Sequence, residues 1–392
     1  MKQRVMDFIK NNPFVFYLYN RLGSLILKSF GLFIPIKQKK ILFVSFGGKK
    51  YDDSPQSLYE KMALIPEFRD YQFVWAFIDT KKEIPYSAKK VKIDSFAYFY
   101  HALSSRFWVI NVSAERGLCF KKKGTICINT WHGTPLKRIY GEERLAQKSR
   151  YKRQPEVFNL VCAQSSYDQK IFSRIFRMSE KDVILSDLPR NDILLKYNQR
   201  DMGDIKIRLK IPEGKKVILY MPTYREYLRD ENNACYLAPP IDVCKWKEKL
   251  ENKYILLIRA HYLVAKDMNI AETDDFVKDV SSYPQLSELY AIADLMISDY
   301  SSAFFDYSIL ERPMFCFAYD LDEYEEKRGF YLDICKELPC TIHENENDLL
   351  QDIISMNFDE AVKKVQLFKQ KYAPYAGQAT DYVIKEIINR YL

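Results

Sequence analysis

Short unbroken apolar runs alternate with longer stretches of mixed polarity along most of this 392-residue chain. Runs at 41–46, 73–78, 107–112, 126–129 and 157–163 lack polar alternation, so they read as strands covered on both faces, the pattern of a parallel sheet. Ser54 and Pro55 open a helix running to residue 64, with serine as cap and proline in the first turn. A polar stretch at 198–213 reads as a linker. The rhythm then restarts, with strands at 217–221, 254–258, 295–297 and 314–317 and helices at 284–293 and 301–310. Residues 349–392 carry helical periodicity and no strand candidate. The expected fold class is α/β, with two tandem Rossmann-like domains and an inter-domain cleft at the carboxyl ends of both sheets. The expected division is a segment at 1–38, a first domain at 39–205, and a second at 206–392 with a helical tail.

Charge changes the picture at two places. Residues 1–40 hold eight Lys/Arg against Asp7 alone, and 116–153 hold eleven against Glu142 and Glu143. The whole chain is only +8, so the remainder is net acidic and each basic region needs its own explanation. In the first, Phe14, Phe16, Tyr17, Leu18, Leu22, Leu25, Ile26 and Phe33 interleave with Arg21 and Lys28, and no apolar run approaches the roughly 20 residues that span a bilayer. A basic amphipathic helix lying on an anionic membrane surface is expected, with a helix packed on the first domain as the plainer alternative. A composition of 47% hydrophobic and 29% charged residues excludes disordered, collagen-like and disulfide-stapled classes. Cys119, Cys127, Cys162, Cys235, Cys244, Cys316, Cys335 and Cys340 form no Cys-x-x-Cys pair, and several sit in apolar runs. Reduced thiols in a cytosolic protein, with no metal site, are expected.

Two of the four histidines follow strands, where α/β enzymes place working groups. His132 lies between the run ending at Trp131 and the turn-forming Gly133 and Pro135. An imidazole there suits proton transfer near neutral pH, and equally suits a ring that bonds a backbone carbonyl and shapes the loop. His261 ends a strand that also carries Arg259, a pairing suited to an anionic substrate or to a surface cap. Thr223 and Arg225 follow the first strand of the second domain, and Asp299, Ser301 and Ser302 open a helix that offers N–H and hydroxyl donors to phosphate. Ser301 equally suits ordinary capping. Asp320 and Asp322 read as a solvated acidic face. Neither a Gly-x-Gly-x-x-Gly nor a Gly-Lys-[Ser/Thr] phosphate loop is present, so no cofactor site of those types is expected.

Taken in order, several blocks resemble successive motifs of the CDP-glycerol glycerophosphotransferase family. They are Thr-Trp-His-Gly-Thr-Pro-Leu-Lys at 130–137, Leu-Pro-Arg-Asn-Asp at 188–192 and Pro-Thr-Tyr-Arg at 222–225. Ser-Asp-Tyr-Ser-Ser at 298–302 follows with Phe305 and Asp306, then Arg312 and Pro313, then Tyr319-Asp320-Leu321 through Arg328-Gly329-Phe330. The resemblance runs from about residue 105 to 335, and the first block is closer to polymerase-type members than to the primase.

What the resemblance implies is a GT-B type fold and transfer of glycerol-phosphate or ribitol-phosphate from CDP-glycerol or CDP-ribitol. The acceptor is a hydroxyl of a lipid-linked teichoic acid or capsular polymer, and CMP is released. The first domain is then the acceptor side and the second the nucleotide-donor side. His132 maps to the family's base and His261 to a second essential histidine, although Tyr262 follows it where relatives often have proline. Ser301 and Ser302 map to the phosphate-binding turn, with Thr223, Arg225 and Arg259 as further donor-phosphate ligands. Gly133, Thr134, Lys137 and Asp299 are other motif residues. No metal, cofactor or nucleic acid is implied, and the expected location is the cytoplasmic face of the membrane, peripherally bound. A GT-B glycosyltransferase using a nucleotide-sugar is the alternative, separated from it by release of a nucleoside diphosphate instead of CMP. A nucleic-acid-binding module is the reading of another class, separated by steeply salt-sensitive oligonucleotide binding without transfer. A catalytically silent membrane scaffold would leave polymer synthesis intact in His132→Ala.

Overall fold

Two parallel sheets organise the chain in the computed structural model, which describes residues 12–143, 157–223, 225, 240–260 and 275–392. The first has seven strands: β1 (Lys37–Val44), β2 (Gln72–Phe77), β3 (Lys89–Lys92), β4 (Ser105–Ile110), β5 (Ile126–Asn129), β6 (Leu160–Ala163) and β7 (Val183–Leu185). Their order is β3-β2-β1-β4-β5-β6-β7 and every pairing is parallel. Connections after β1 and β4 therefore diverge, which opens a crevice at their carboxyl ends. The five strands expected from apolar runs are present. Two short ones, β3 and β7, were not foreseen, because three residues of Lys-Lys-Val-Lys are exposed and β7 has only three residues.

Compact unit one comprises the described residues of 1–132, 148–192 and 378–392, and unit two those of 133–147 and 193–377. A single break near residue 205 is thus not how the chain divides. The stretch 198–213, read as a linker, contains the helix Gln199–Arg208, opened by a reciprocal capping box between Asn198 and Asp201. It packs on the helix Leu286–Ile292 of the same unit. The tail also splits. Helix Phe358–Tyr372 belongs to unit two, whereas helix Ala379–Tyr391 joins unit one, burying Val383, Ile384 and Ile387 in the core that holds Phe43, Tyr59 and Trp75. The Asp192 carboxylate accepts from the N–H groups of Ala379 and Thr380 at 2.9 and 2.7 Å, capping that helix from a distant loop.

Helix Pro13–Phe33 is also part of unit one. Asn12 caps its start, with Pro13 in the first turn. Lys122 closes its end by donating to the carbonyls of Gly31 (2.8 Å) and Ile34. Gly23 lets the helix pack closely there, since a Cβ would lie 3.0 Å from a Leu118 methyl. That packing turns Leu22, Leu25, Ile26, Phe30, Leu32 and Phe33 outward, each more than half exposed. Among the described residues, no helix is long and apolar enough to cross a membrane.

In unit two, β8 (Lys216–Met221), β9 (Tyr254–Ile258), β10 (Val277–Asp279), β11 (Leu295–Ser298), β12 (Met314–Phe317) and β13 (Ile342–His343) form a parallel sheet ordered β10-β9-β8-β11-β12-β13. Its strand order reverses between β8 and β11, so its own crevice opens where Thr223 and Asp299 leave the sheet. The short edge strands β10 and β13 were not foreseen. Segment 133–143 joins this unit through an antiparallel bridge between Lys137 and Phe330, with Arg138 N–H on the Gly329 carbonyl at 3.0 Å. The chain passes from one unit to the other at the His132–Gly133 bond.

Candidate active site

In unit one, the turn after β5 is built to hold one ring in place. Asn129 accepts from the Trp131 N–H at 2.8 Å, and Trp131 adopts a left-handed backbone, φ 54°, that reverses the chain. The indole pays back that conformation by burial against Phe172 and Phe176. Gly133 follows at φ 140°, a conformation that disfavours a side chain. His132 between them stacks on Trp131 with ring centres 4.3 Å apart, and Phe46, from the loop after β1, meets it edge-on at 6.2 Å.

His132 Nδ1 is 2.7 Å from the carbonyl oxygen of Asn111, just past β4. A carbonyl only accepts, so Nδ1 carries the proton and Nε2 of the neutral ring keeps its lone pair. Burial lowers the pKa, opposed by the Asn111 bond and the Asp53 charge. Of the two readings left open by the sequence, the ring that bonds a backbone carbonyl is the one observed, and that bond leaves the lone pair on Nε2. The Asn111 side chain also accepts from Phe46 N–H at 2.8 Å, tying the ends of β1, β4 and β5 together at the crevice.

Unit two carries the phosphate-ligand candidates. Asp299 accepts the Thr223 N–H on both oxygens, at 2.9 and 3.0 Å, and the Tyr300 N–H at 2.7 Å. The Thr223 hydroxyl is buried with no partner among the described residues, so it has a donor to offer a ligand oxygen. Ser301 accepts from Ala303 N–H at 3.1 Å while Ser302 caps nothing with its side chain, and both are half-buried at the start of helix Ala303–Ser308.

Arg225 departs from its expected role. Its guanidinium makes a forked bond to Asp320 (2.7 and 2.8 Å), bonds Asp299 at 2.8 Å and the Thr223 carbonyl at 2.7 Å, and is 1% exposed. Tyr300, Tyr319 and Tyr324 surround it at 4.8, 5.2 and 5.0 Å. Burial opposes its charge, but the two carboxylates outweigh that and keep it protonated. It shapes the loop instead of presenting a fork to phosphate. Asp320, read from sequence as a solvated acid, is its half-buried partner; only its position in the Tyr-Asp-Leu block hinted at this. Arg259 likewise donates to the carbonyls of Val280 and Tyr283, at 3.3 and 2.6 Å. Thr134 is buried, and the Lys137 ammonium lies 5.9 Å from the Tyr324 ring centre. His261 lies outside the described residues.

The second basic region is partly spent on structure. Arg116 pairs with Asp94 at 2.9 Å, Lys121 donates to Asn159, and Lys122 caps the first helix. Of the cysteines, Cys127, Cys162 and Cys316 are buried, Cys244 and Cys335 are exposed, and Cys235 lies outside the described residues.

Comparison with known proteins gives this arrangement a family. Residues 26–389 match the model of CDP-glycerol:poly(glycerophosphate) glycerophosphotransferases. A teichoic acid glycerol-phosphate transferase of Staphylococcus aureus is 34% identical over 384 residues, covering 92% of this chain and 96% of its own. A teichoic acid poly(glycerol phosphate) polymerase of Staphylococcus epidermidis is 33% identical over 364 residues, 89% of this chain. This chain spans about half the length of that polymerase. A poly(ribitol-phosphate) polymerase of Bacillus spizizenii is 26% identical over 364 residues, covering 91% of this chain and 57% of its own. Among solved structures, the wall teichoic acid polymerase TagF, as a variant soaked with CDPG, superposes with TM-score 0.80 at 32% identity, covering 90% of this chain and 89% of that one. A UDP-GlcNAc 2-epimerase from Neisseria meningitidis shares the two-sheet fold alone, with TM-score 0.55 at 12% identity over 90% of this chain and all of its own.

Proposed function

Because the chain belongs to the CDP-glycerol:poly(glycerophosphate) glycerophosphotransferase family, we propose that it transfers a polyol-phosphate from a CDP-polyol to a hydroxyl of a lipid-linked teichoic acid or capsular acceptor. CDP-glycerol is the donor favoured by the family model and by the TagF variant soaked with CDPG, with CDP-ribitol the second candidate through the ribitol-phosphate relative. The observation that carries the mechanism is the 2.7 Å bond from His132 Nδ1 to the Asn111 carbonyl, which leaves Nε2 basic at the crevice of the first sheet.

The acceptor hydroxyl attacks the phosphorus that bears the polyol. A new O–P bond forms as the bond from that phosphorus to the bridging oxygen breaks, and the electron pair leaves with CMP. His132 Nε2 takes the hydroxyl proton. Charge on the phosphoryl oxygens is met by the Thr223 hydroxyl and the Ser301–Ser302 turn, donors held by Asp299 and Arg225. His261 is the second histidine of this reading by motif position. On this reading unit one handles the acceptor and unit two the donor.

The outward apolar face of helix Pro13–Phe33, with Arg21 and Lys28 on the same helix, suits peripheral attachment to an anionic membrane on its cytoplasmic face. A lipid-linked acceptor would be met there. The test is CMP release from CDP-glycerol and CDP-ribitol, supplied separately with a lipid-linked acceptor analogue. Release above a His132→Ala control supports the reading, and none from either donor overturns it.

A further inference from the structure

Two charged side chains that the reaction as described does not use, Asp53 and Arg190, pair at the carboxyl edge of the sheet that also carries His132. Asp53 opens the helix Asp53–Met62 after β1, and Arg190 follows β7 at the start of the turn Pro189–Leu195. β1 and β7 are separated in the sheet by β4, β5 and β6. The segment after β7 therefore returns across the carboxyl edge to reach the β1 loop, and His132 leaves the intervening β5. There Arg190 Nη1 donates to Asp53 Oδ2 at 2.6 Å, and its N–H donates to Ser54 Oγ at 3.3 Å. Both charges act on the His132 imidazole.

The pair is held in place from several directions. Asp53 has a left-handed backbone, φ 67°, which only Asp, Asn and Gly adopt readily. Asp52 Oδ1 accepts the Asp53 N–H at 2.7 Å, Asp53 Oδ1 accepts the Ser54 N–H at 2.6 Å, and Ser45 Oγ fixes the Asp52 carbonyl at 2.9 Å. Backbone strain of this kind persists where the surroundings enforce it, as at ligand sites. Asp53's side chain is 4% exposed while Arg190's is 20% exposed, so the arginine is braced from behind and reaches the surface. A second cation, Lys50, sits 5.7 Å from the Phe46 ring centre, and Phe46 is the ring edge-on to His132.

We propose that Arg190, braced by Asp53, binds the phosphate of the acceptor's terminal polyol-phosphate unit and so selects acceptors that already carry one. This rests on the assignment of His132 as the base at the acceptor hydroxyl. In a polyol-phosphate chain the reactive hydroxyl and the nearest phosphate share one short polyol, so a site that deprotonates the hydroxyl meets that phosphate on the same edge of the sheet. Arginine's planar fork matches phosphate where lysine's point charge does not.

The experiment titrates the full chain with sn-glycerol 3-phosphate and with glycerol as neutral control, by NMR or calorimetry, for wild type, Arg190→Gln, Arg190→Lys and Asp53→Asn. CMP release is measured on the same proteins. The expected result is glycerol 3-phosphate binding weakened about 10- to 100-fold in Arg190→Gln, less so in Arg190→Lys and Asp53→Asn, with glycerol binding and the KM for the CDP-polyol unchanged. Unaltered circular dichroism and melting in at least one variant excludes misfolding as the cause. Equal binding of glycerol 3-phosphate by wild type and folded Arg190 variants, or its absence in wild type, overturns the assignment. Arg190-dependent binding without any CMP release sinks the proposed transferase activity while leaving the phosphate site standing.

Discussion

His132 donates through Nδ1 to the carbonyl oxygen of Asn111 at 2.7 Å, and this bond leaves the lone pair of the neutral ring on Nε2. Replacing His132 with alanine should reduce CMP release about 10²- to 10⁴-fold with little change in donor binding, as expected for loss of a general base. Single-turnover kinetics beside equilibrium donor titration separates the two effects.

The pH profile should carry the mark of that burial. Burial lowers the His132 pKa, with the Asn111 bond and Asp53 opposing it, from the ordinary imidazole value of 6.5. A base works when neutral, and a lowered pKa keeps it neutral further into acid. The acid limb of kcat/KM should therefore have its midpoint below 6.5, and a midpoint above 6.5 in wild type would contradict the assignment.

Arg225 holds two carboxylates in a site where it is almost wholly buried. Arg225→Met leaves Asp299 and Asp320 without their cation and should destabilise the chain by about 3–5 kcal/mol, read as a lower urea midpoint. The loop that carries Thr223 should loosen with it, because Arg225 also holds the Thr223 carbonyl.

Lys40 is 1% exposed, donates to Ser104 Oγ at 2.6 Å and lies 5.2 Å from the Tyr100 ring centre. Burial, then Lys37 and Lys89, pulls its pKa from 10.5 to about 8. The unfolded lysine thus holds its proton more tightly than the folded one, so protonation favours unfolding and stability rises between pH 8 and 10.5. Lys40→Met should raise stability at pH 7 by about 1–3 kcal/mol and flatten that rise, measured by urea unfolding at several pH values.

Charging the outward face of the first helix, as Leu25→Asp with Phe33→Asp, should abolish binding to anionic liposomes and leave glycerol 3-phosphate binding intact. Both positions are more than half exposed, so folding should tolerate the change. Retained sedimentation with liposomes would reject the membrane role of this helix.

Local order was written in the chain. Apolar runs such as 254–258 and 314–317 coincide with β9 and β12, because a strand buried on both faces has no polar alternation to blur its ends. The turn that presents His132 was equally legible, since Gly133 and Pro135 mark it locally. What tertiary structure decided was partnership. A lone Arg225 after a strand looks like a phosphate ligand until Asp320, 95 positions later, takes its fork. An acidic Asp320 looks solvated until that arginine arrives, and Arg190 meets Asp53 only when β7's continuation crosses the sheet. Helix Ala379–Tyr391 carries the same amphipathic pattern as its neighbours, and nothing local says which sheet it covers. Burial and pairing are properties of distant segments brought together, so periodicity fixed which elements form, while long-range packing fixed which charges are spent on the fold and which are left for chemistry.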